Sequence, residues 1–244
     1  MASPARKVAL VTGGAVRVGR ALSQGLAEAG YDVAVHYHSS ATAAREVARR
    51  IGELGRNGVL IEGDLGDPAG VEAIAAAVRE RCGRLDLLVN SAASFEHADL
   101  LEVDAAAWDR VMNVNLRGPF LLVRETAALL KASQGAVVNI LDLGAIEAWT
   151  HHPHHAVSKA ALLHLTKVLA RALAPEVRVN AVLPGTVLMP ESLDASSGER
   201  ERRRIPLGRL GSPEDVLRAV LFLAASPFIT GEVLVVDGGR SLVD

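Results

Sequence analysis

The 244 residues predict one doubly wound α/β domain, a parallel seven-stranded sheet with helices on both faces. Two observations carry this. Seven short apolar runs show little polar alternation, as strands covered on both faces do, and segments of helical spacing lie between them, giving repeated strand-helix-strand units. The runs lie near Val8 to Val11, Val33 to Tyr37, Val59 to Glu62, Leu85 to Val89, Ala136 to Leu141, Val177 to Val182 and Val233 to Val236. Helices are expected at Arg20 to Ala29, Ala41 to Leu54, Pro68 to Cys82, Asp104 to Leu130, Ala156 to Leu173 and Pro213 to Ala225, several opened by Pro or by an Asp or Ser cap. Such units cross over right-handedly. Ligands then bind beyond the carboxyl ends of the strands, so the turns after the strands are where a site is expected.

Composition narrows the function. With 50% hydrophobic and 22% charged residues, no internal repeat and no long linker, residues 1–244 read as a single domain with one sizeable core. A formal charge of -2 offers no basic surface for nucleic acid or an anionic membrane. Cys82 stands alone, and neither a signal-like apolar region nor a run of about 20 apolar residues is seen. A cytoplasmic protein with a small-molecule substrate, and neither nucleic acid nor membrane as partner, is expected.

After the first strand comes Thr12-Gly13-Gly14-Ala15-Val16-Arg17-Val18-Gly19, leading into a helix. Glycines there let the backbone approach a pyrophosphate, which backbone N–H groups and the helix N-terminus receive. A Gly-rich turn alone is also ordinary punctuation. Its companions are Gly63-Asp64-Leu65, Asn90-Ser91-Ala92-Ala93, Asn115 within the long helix, and Pro184-Gly185.

With these motifs the chain resembles, over its whole length, the Rossmann-type short-chain dehydrogenase/reductase family. The resemblance implies a cofactor site built from Gly13, Arg17, Val18, Gly19, His36, Tyr37, His38, Ser39, Asp64, Leu65, Asn90, Ser91, Ala92, Lys159, Pro184, Gly185 and Val187. In it Asp64 would bind adenine, Asn90 would support its turn, and Asn115 would hold a water in a proton relay to Lys159. Loop capping for Asp64 and a helix kink for Asn115 are the plainer alternatives. Within the family the chain is similar to pteridine and dihydromonapterin reductases in three places: Arg17 in place of the middle turn glycine, the segment His36-Tyr37-His38-Ser39-Ser40, and Ser94-Phe95. Arg17 would meet phosphate and substrate, or is a surface arginine. Phe95 would stack on a pterin ring, or packs in the core. The second strand ends without the carboxylate that would accept from the ribose of NAD and repel a 2′-phosphate, so NADPH/NADP is the expected cofactor, with His36, His38, Ser39 and Ser40 as donors and Arg45 beyond.

The catalytic tyrosine of that family lies four residues before a lysine on one helix face. Here the segment reads His155-Ala156-Val157-Ser158-Lys159, and the only tyrosines are Tyr31 and Tyr37, so His155 replaces it. Lys159 is one of four lysines among 26 basic residues, and a compact ammonium suits two ribose hydroxyls better than a guanidinium fork. Thirteen residues before His155 stands Asp142, where the wider family has serine and pteridine reductases have aspartate; capping of the strand end is its alternative role. The catalytic set is therefore Asp142, His155, Lys159 and Asn115, and the substrate set Arg17, Ser94, Phe95, Asp142 and His155. The run His151-His152-Pro153-His154-His155 is not read as a metal site, because Pro153 breaks helical spacing and no carboxylate-histidine motif accompanies it. Met189 to Arg204 corresponds to the family's substrate lid, or is a solvated charged face.

Histidine titrates near 6.5 and tyrosine near 10, so the help a lysine gives tyrosine is misplaced here. A unit charge about 4 Å away at an effective dielectric of about 20 amounts to roughly 4 kcal/mol, which Asp142 would have to oppose. The expectation is a dihydropterin-type C=N reductase, weak and faster as pH falls from about 8 to about 6. Another carbonyl or imine reductase and a catalytically silent NADP(H)-binding protein are the alternatives. The resemblance also implies a homotetramer, through the helices at Asp104 to Leu130 and Ala156 to Leu173 and through the last strand.

Overall fold

The computed structural model describes residues 6–188 and 195–243. Strands β1 (Val8–Val11), β2 (Asp32–Tyr37), β3 (Gly58–Glu62), β4 (Leu87–Asn90), β5 (Ala136–Ile140), β6 (Arg178–Pro184) and β7 (Val233–Val236) form one sheet. Its order is β3-β2-β1-β4-β5-β6-β7, with every pairing parallel. The apolar runs become strands because both faces are covered: β1, β4 and β5 are buried at every residue. On one face α1 (Arg17–Glu28), α2 (Ala41–Glu53) and α8 (Pro213–Ala225) close a core around Leu22, Val35, Val47 and Val220. On the other, α3 (Pro68–Cys82), α5 (Gly118–Ser133) and α6 (Pro153–Leu173) close one around Ile74, Leu88, Leu122 and Ala170.

The expected helix from Asp104 to Leu130 is instead α4 (Ala105–Met112), a π-helical turn at Asn113–Arg117, and α5. The chain stays helical throughout, since Asn113 and Arg117 both hold right-handed helical angles. Pro119 explains the widened turn: it has no N–H for the carbonyl of Asn115, four residues back, and its ring would clash there. The helix α6 starts at Pro153 rather than Ala156, with proline in the first turn where a missing N–H costs nothing. A further helix, α7 (Ala195–Arg203), lies in the expected lid, of which residues 189–194 are outside the described residues, as are residues 1–5 of the N-terminal reading. On α7, Glu199 pairs with Arg202 and Arg203 on its own exposed face. Among the described residues no helix is long and apolar enough to cross a membrane.

Candidate active site

At the cofactor end the turn after β1 is shaped for close approach. A Cβ on Gly19 would stand 2.2 Å from the Gly13 carbonyl oxygen, and one on Gly13, at φ +62, 3.0 Å from Ala92 Cα. Val16, which precedes α1, caps no N–H with its side chain, and the first turn carries no acid, so the helix start keeps its donors for a pyrophosphate. Arg17 adopts φ +50, the left-handed region usually left to glycine, at a cost of about 1 kcal/mol. Its guanidinium donates to the Leu188 carbonyl at 3.2 Å, at the entry to the expected lid. Thr12, which the sequence reading passed over, ties two turns together: its Oγ1 accepts from Ser91 N at 2.9 Å and Ala92 N at 3.1 Å. These features fit a dinucleotide.

His36 corrects an expectation. It is 2% exposed, and its ring is committed: Nδ1 accepts from Gly13 N at 3.1 Å and Nε2 donates to the Gly63 carbonyl at 3.1 Å. Burial pushes its pKa down to about 4. A neutral, enclosed ring clamps the turns after β1 and β3 together and is not a phosphate donor. His38 and Ser39 are exposed beyond it, and Tyr37 donates to Glu62 at 3.3 Å. Asp64 caps its own loop, accepting from Gly66 N at 2.7 Å. Asn90 turns into the sheet and donates to Asn139 at 2.8 Å, and Asn139 in turn to Thr166 at 2.9 Å, which braces the turn from below.

At the chemical end β5 delivers Asp142 and the first turns of α6 deliver His155 and Lys159. His155 Nε2 lies 2.7 Å from Asp142 Oδ2, and Nδ1 lies 3.0 Å from the Ser94 carbonyl oxygen. Asp142 also accepts from Gly144 N at 3.0 Å, so the strand-end cap and the site role coexist. Lys159 is 3% exposed and donates to the Ile140 carbonyl at 2.8 Å. Burial pushes the Lys159 ammonium down while Asp142 opposes that. For Asp142, burial works to raise the pKa, but the His155 hydrogen bond and the Lys159 charge outweigh it and hold the carboxyl below its usual range.

Asn115 is held from its side chain. Its amide is a clasp on the Ser94 segment: Oδ1 accepts from Ser94 N at 2.7 Å, and Nδ2 donates to the Ser94 carbonyl and to Ser158 Oγ, both at 3.0 Å. With both hydrogens placed, Nδ2 has none for His155 Nδ1 at 3.3 Å. The side chain is thus committed, and the π turn carries it to where it can clasp. His155 Nδ1 is then left facing the Ser94 carbonyl. Both ring nitrogens face oxygen acceptors, Nε2 the Asp142 carboxylate and Nδ1 the Ser94 carbonyl.

Phe95 is 55% exposed, so it is not core. Its ring stacks on His152 at 4.1 Å and meets His155 edge-on at 4.6 Å. Trp149, absent from the sequence reading, lies parallel to His155 at 6.2 Å with its face at 7°. Nothing in its local pattern marks it beyond being a large aromatic in a polar loop. The side chain of Asp142 is 25% exposed and that of His155 2%, so the carboxylate is the member of the pair that a bound molecule can touch. A cavity of about 510 Å³ lined by Gly185 and Thr186 includes neither Asp142 nor His155. Among the described residues no cluster of three or more His, Cys, Asp or Glu can hold a metal.

Residues 14–241 match the family model described as enoyl-(acyl carrier protein) reductase. The L-rhamnose 1-dehydrogenase (NAD(P)(+)) of Sphingomonas sp. (strain SKA58) is 32% identical over 96% of this chain and 95% of its own length. The 3-oxoacyl-[acyl-carrier-protein] reductase FabG of Staphylococcus aureus is 34% identical over 96% of this chain and 97% of its own. The chain belongs to the short-chain dehydrogenase/reductase family. Acetoin dehydrogenase YohF from Salmonella typhimurium superimposes with a TM-score of 0.90 at 30% identity, over 98% of each chain. This short-chain dehydrogenase/reductase is accordingly an NAD(P)(H)-dependent oxidoreductase, and the seven-stranded doubly wound sheet is that of its relatives.

Proposed function

We propose that the chain is an NADPH-dependent reductase of the C=N bond of a dihydropterin-like ring. Asp142 carries the reading. A carboxylate accepts hydrogen bonds and repels a carbonyl oxygen, whereas a heterocycle with neighbouring N–H groups donates to it. The half-exposed ring of Phe95 and the indole of Trp149 add flat faces for such a ring. The pteridine reading rests on Arg17, Asp142, Phe95 and the His38–Ser40 segment, not on the named relatives. Bound NADPH supplies the hydride. The residues of this chain manage the proton: His155 Nε2 releases its hydrogen to Asp142, Asp142 passes it to the ring nitrogen, and buried Lys159 holds positive charge beneath the carboxylate. Preference for NADP(H) over NAD(H) follows from the absence of a carboxylate at the end of β2, with exposed His38 and Ser39 and Arg45 on α2 around that end.

A second reading, reduction of a carbonyl, is favoured by the names of the relatives, which concern rhamnose, 3-oxoacyl groups and acetoin. A silent NADP(H)-binding role is favoured by the enclosure of His155. We place the protein in the cytoplasm as a homotetramer; exposed Phe120 on α5, Val157 and Val168 on α6, and Val235 on the edge strand β7 are apolar surface for the two contacts. One assay separates the readings: absorbance loss of NADPH or NADH with a dihydropterin, a quinone and a ketone. The dihydropterin with NADPH is expected to react, slowly, faster toward about pH 6, and faster again in His155→Tyr. A His155→Tyr protein that binds NADPH and reduces the ketone but no pterin contradicts the pterin reading.

A further inference from the structure

The chain after β7 reaches back to the site from a direction that the cofactor and catalytic motifs do not cover. Gly238 and Gly239, at φ +65 and +88, turn it into a short 3₁₀ helix at Arg240–Leu242. Asp237 fixes that turn, accepting from Gly239 N at 2.8 Å and Ser241 N at 2.7 Å. Arg240 is thereby pointed inward: it is 5% exposed, whereas Leu242, two residues on, is 85% exposed. Its Nη1 lies 3.6 Å from Glu147 Oε1 and its Nε 3.5 Å from Glu201 Oε1.

Each of those carboxylates holds a second residue. Glu147 Oε2 accepts from the Trp149 indole N–H at 2.9 Å, and Trp149 is the ring lying parallel to His155. Glu201, on α7, accepts from the Thr186 hydroxyl at 2.9 Å, and Thr186 follows Gly185 at the end of β6. Both carboxylates are partly exposed and lie within 3.6 Å of the buried Arg240, which bridges them, while Glu201 also meets Arg204 at 3.7 Å. We propose that Arg240 is a positioning residue that fixes where Trp149 lies beside His155, by tying Glu147, which holds Trp149, to Glu201, which holds Thr186 at the end of β6. It touches neither hydride nor proton. The proposal concerns the placement of Trp149 and stands for any substrate of the site.

The test uses the full chain in a Trp108→Phe background, so that Trp149 is the single tryptophan. Arg240→Met keeps the buried stem and removes the charge; Arg240→Lys keeps the charge. Glu147→Gln cuts one branch and leaves the C-terminal turn intact. Acrylamide quenching of Trp149 is expected to rise about twofold in Arg240→Met and in Glu147→Gln, with Arg240→Lys close to the parent. NADPH affinity by calorimetry should stay within about twofold in all three. For whichever probe of the panel is turned over, KM should rise about tenfold in Arg240→Met with kcat retained. Unchanged quenching in both Arg240→Met and Glu147→Gln overturns the proposal. So does a rise in Arg240→Met that comes with lost NADPH binding while Glu147→Gln behaves as the parent, since that pattern is loss of structure and not of positioning.

Discussion

His36 and His155 are equally buried, each 2% exposed, yet the protein uses them for opposite purposes. Around His36 stand one donor and one acceptor, the Gly13 N–H and the Gly63 carbonyl, so one ring hydrogen satisfies everything and burial keeps the ring neutral. Around His155 stand two acceptors, the Asp142 carboxylate and the Ser94 carbonyl, a setting in which the proposed reaction has the ring carry two hydrogens. The first ring is a clamp between two turns of the cofactor end. The second, in the proposed reaction, is a proton store beside a partly exposed carboxylate. What differs is not depth but the hydrogen-bonding character of the neighbours, which Asn115 enforces by placing its own hydrogens on Ser94 and Ser158.

The comparison breaks most visibly at Asp142. Asp142→Asn removes the charged acceptor and the only member of the pair that substrate can reach. Turnover of the responsive probe is expected to fall at least about 100-fold, with NADPH affinity by calorimetry within about twofold of the parent. Turnover retained near the parent value would show that the pair does not handle the proton.

A smaller effect sharpens the His36 side. Its pKa of about 4 in the folded protein lies below the value near 6.5 expected of an unfolded chain. Between those values the unfolded chain binds the extra proton, so the contribution of His36 is complete above about pH 6.5 and is lost as pH falls toward 4, by up to about 3 kcal/mol. Asp142 acts in a lower window: with its carboxyl held down, its contribution is present above about pH 3.9 and disappears only as pH falls through its folded value. Urea unfolding at about pH 7, 6, 5 and 4.5 should therefore show stability falling with pH. His36→Gln should be less stable at neutral pH by about 2 kcal/mol, with a flatter slope. An equal slope in the variant would assign the pH dependence elsewhere.

The order of strands and helices could be read from the chain because burial on both faces makes β1, β4 and β5 continuous apolar runs, a local signal. Asp142, His155 and Lys159 could be placed through the family resemblance, whose spacings of four and thirteen residues they keep. The commitments of individual polar atoms were not legible. His36 meets Gly13 and Gly63 only after three strands have paired, and Asn115 meets Ser94 and Ser158 across 21 and 43 residues. Trp149 and Arg240 were missed for the same reason, being joined only through Glu147 once β7 has paired with β6. The π turn was legible only as the helix kink that Asn115 offered as an alternative, because a widened turn leaves the apolar pattern of the surrounding helix almost unchanged.

The most direct measurement is the hydrogen count on the two rings. Long-range nitrogen-proton correlation spectra of ¹⁵N-histidine-labelled protein at about pH 6, assigned with His36→Gln and His155→Tyr, distinguish a protonated ring nitrogen from a bare one. His155 is expected to show two protonated nitrogens, and His36 one protonated Nε2 and one bare Nδ1. A bare nitrogen on His155 while His36 keeps its single proton would contradict the assignment of His155 as the proton store.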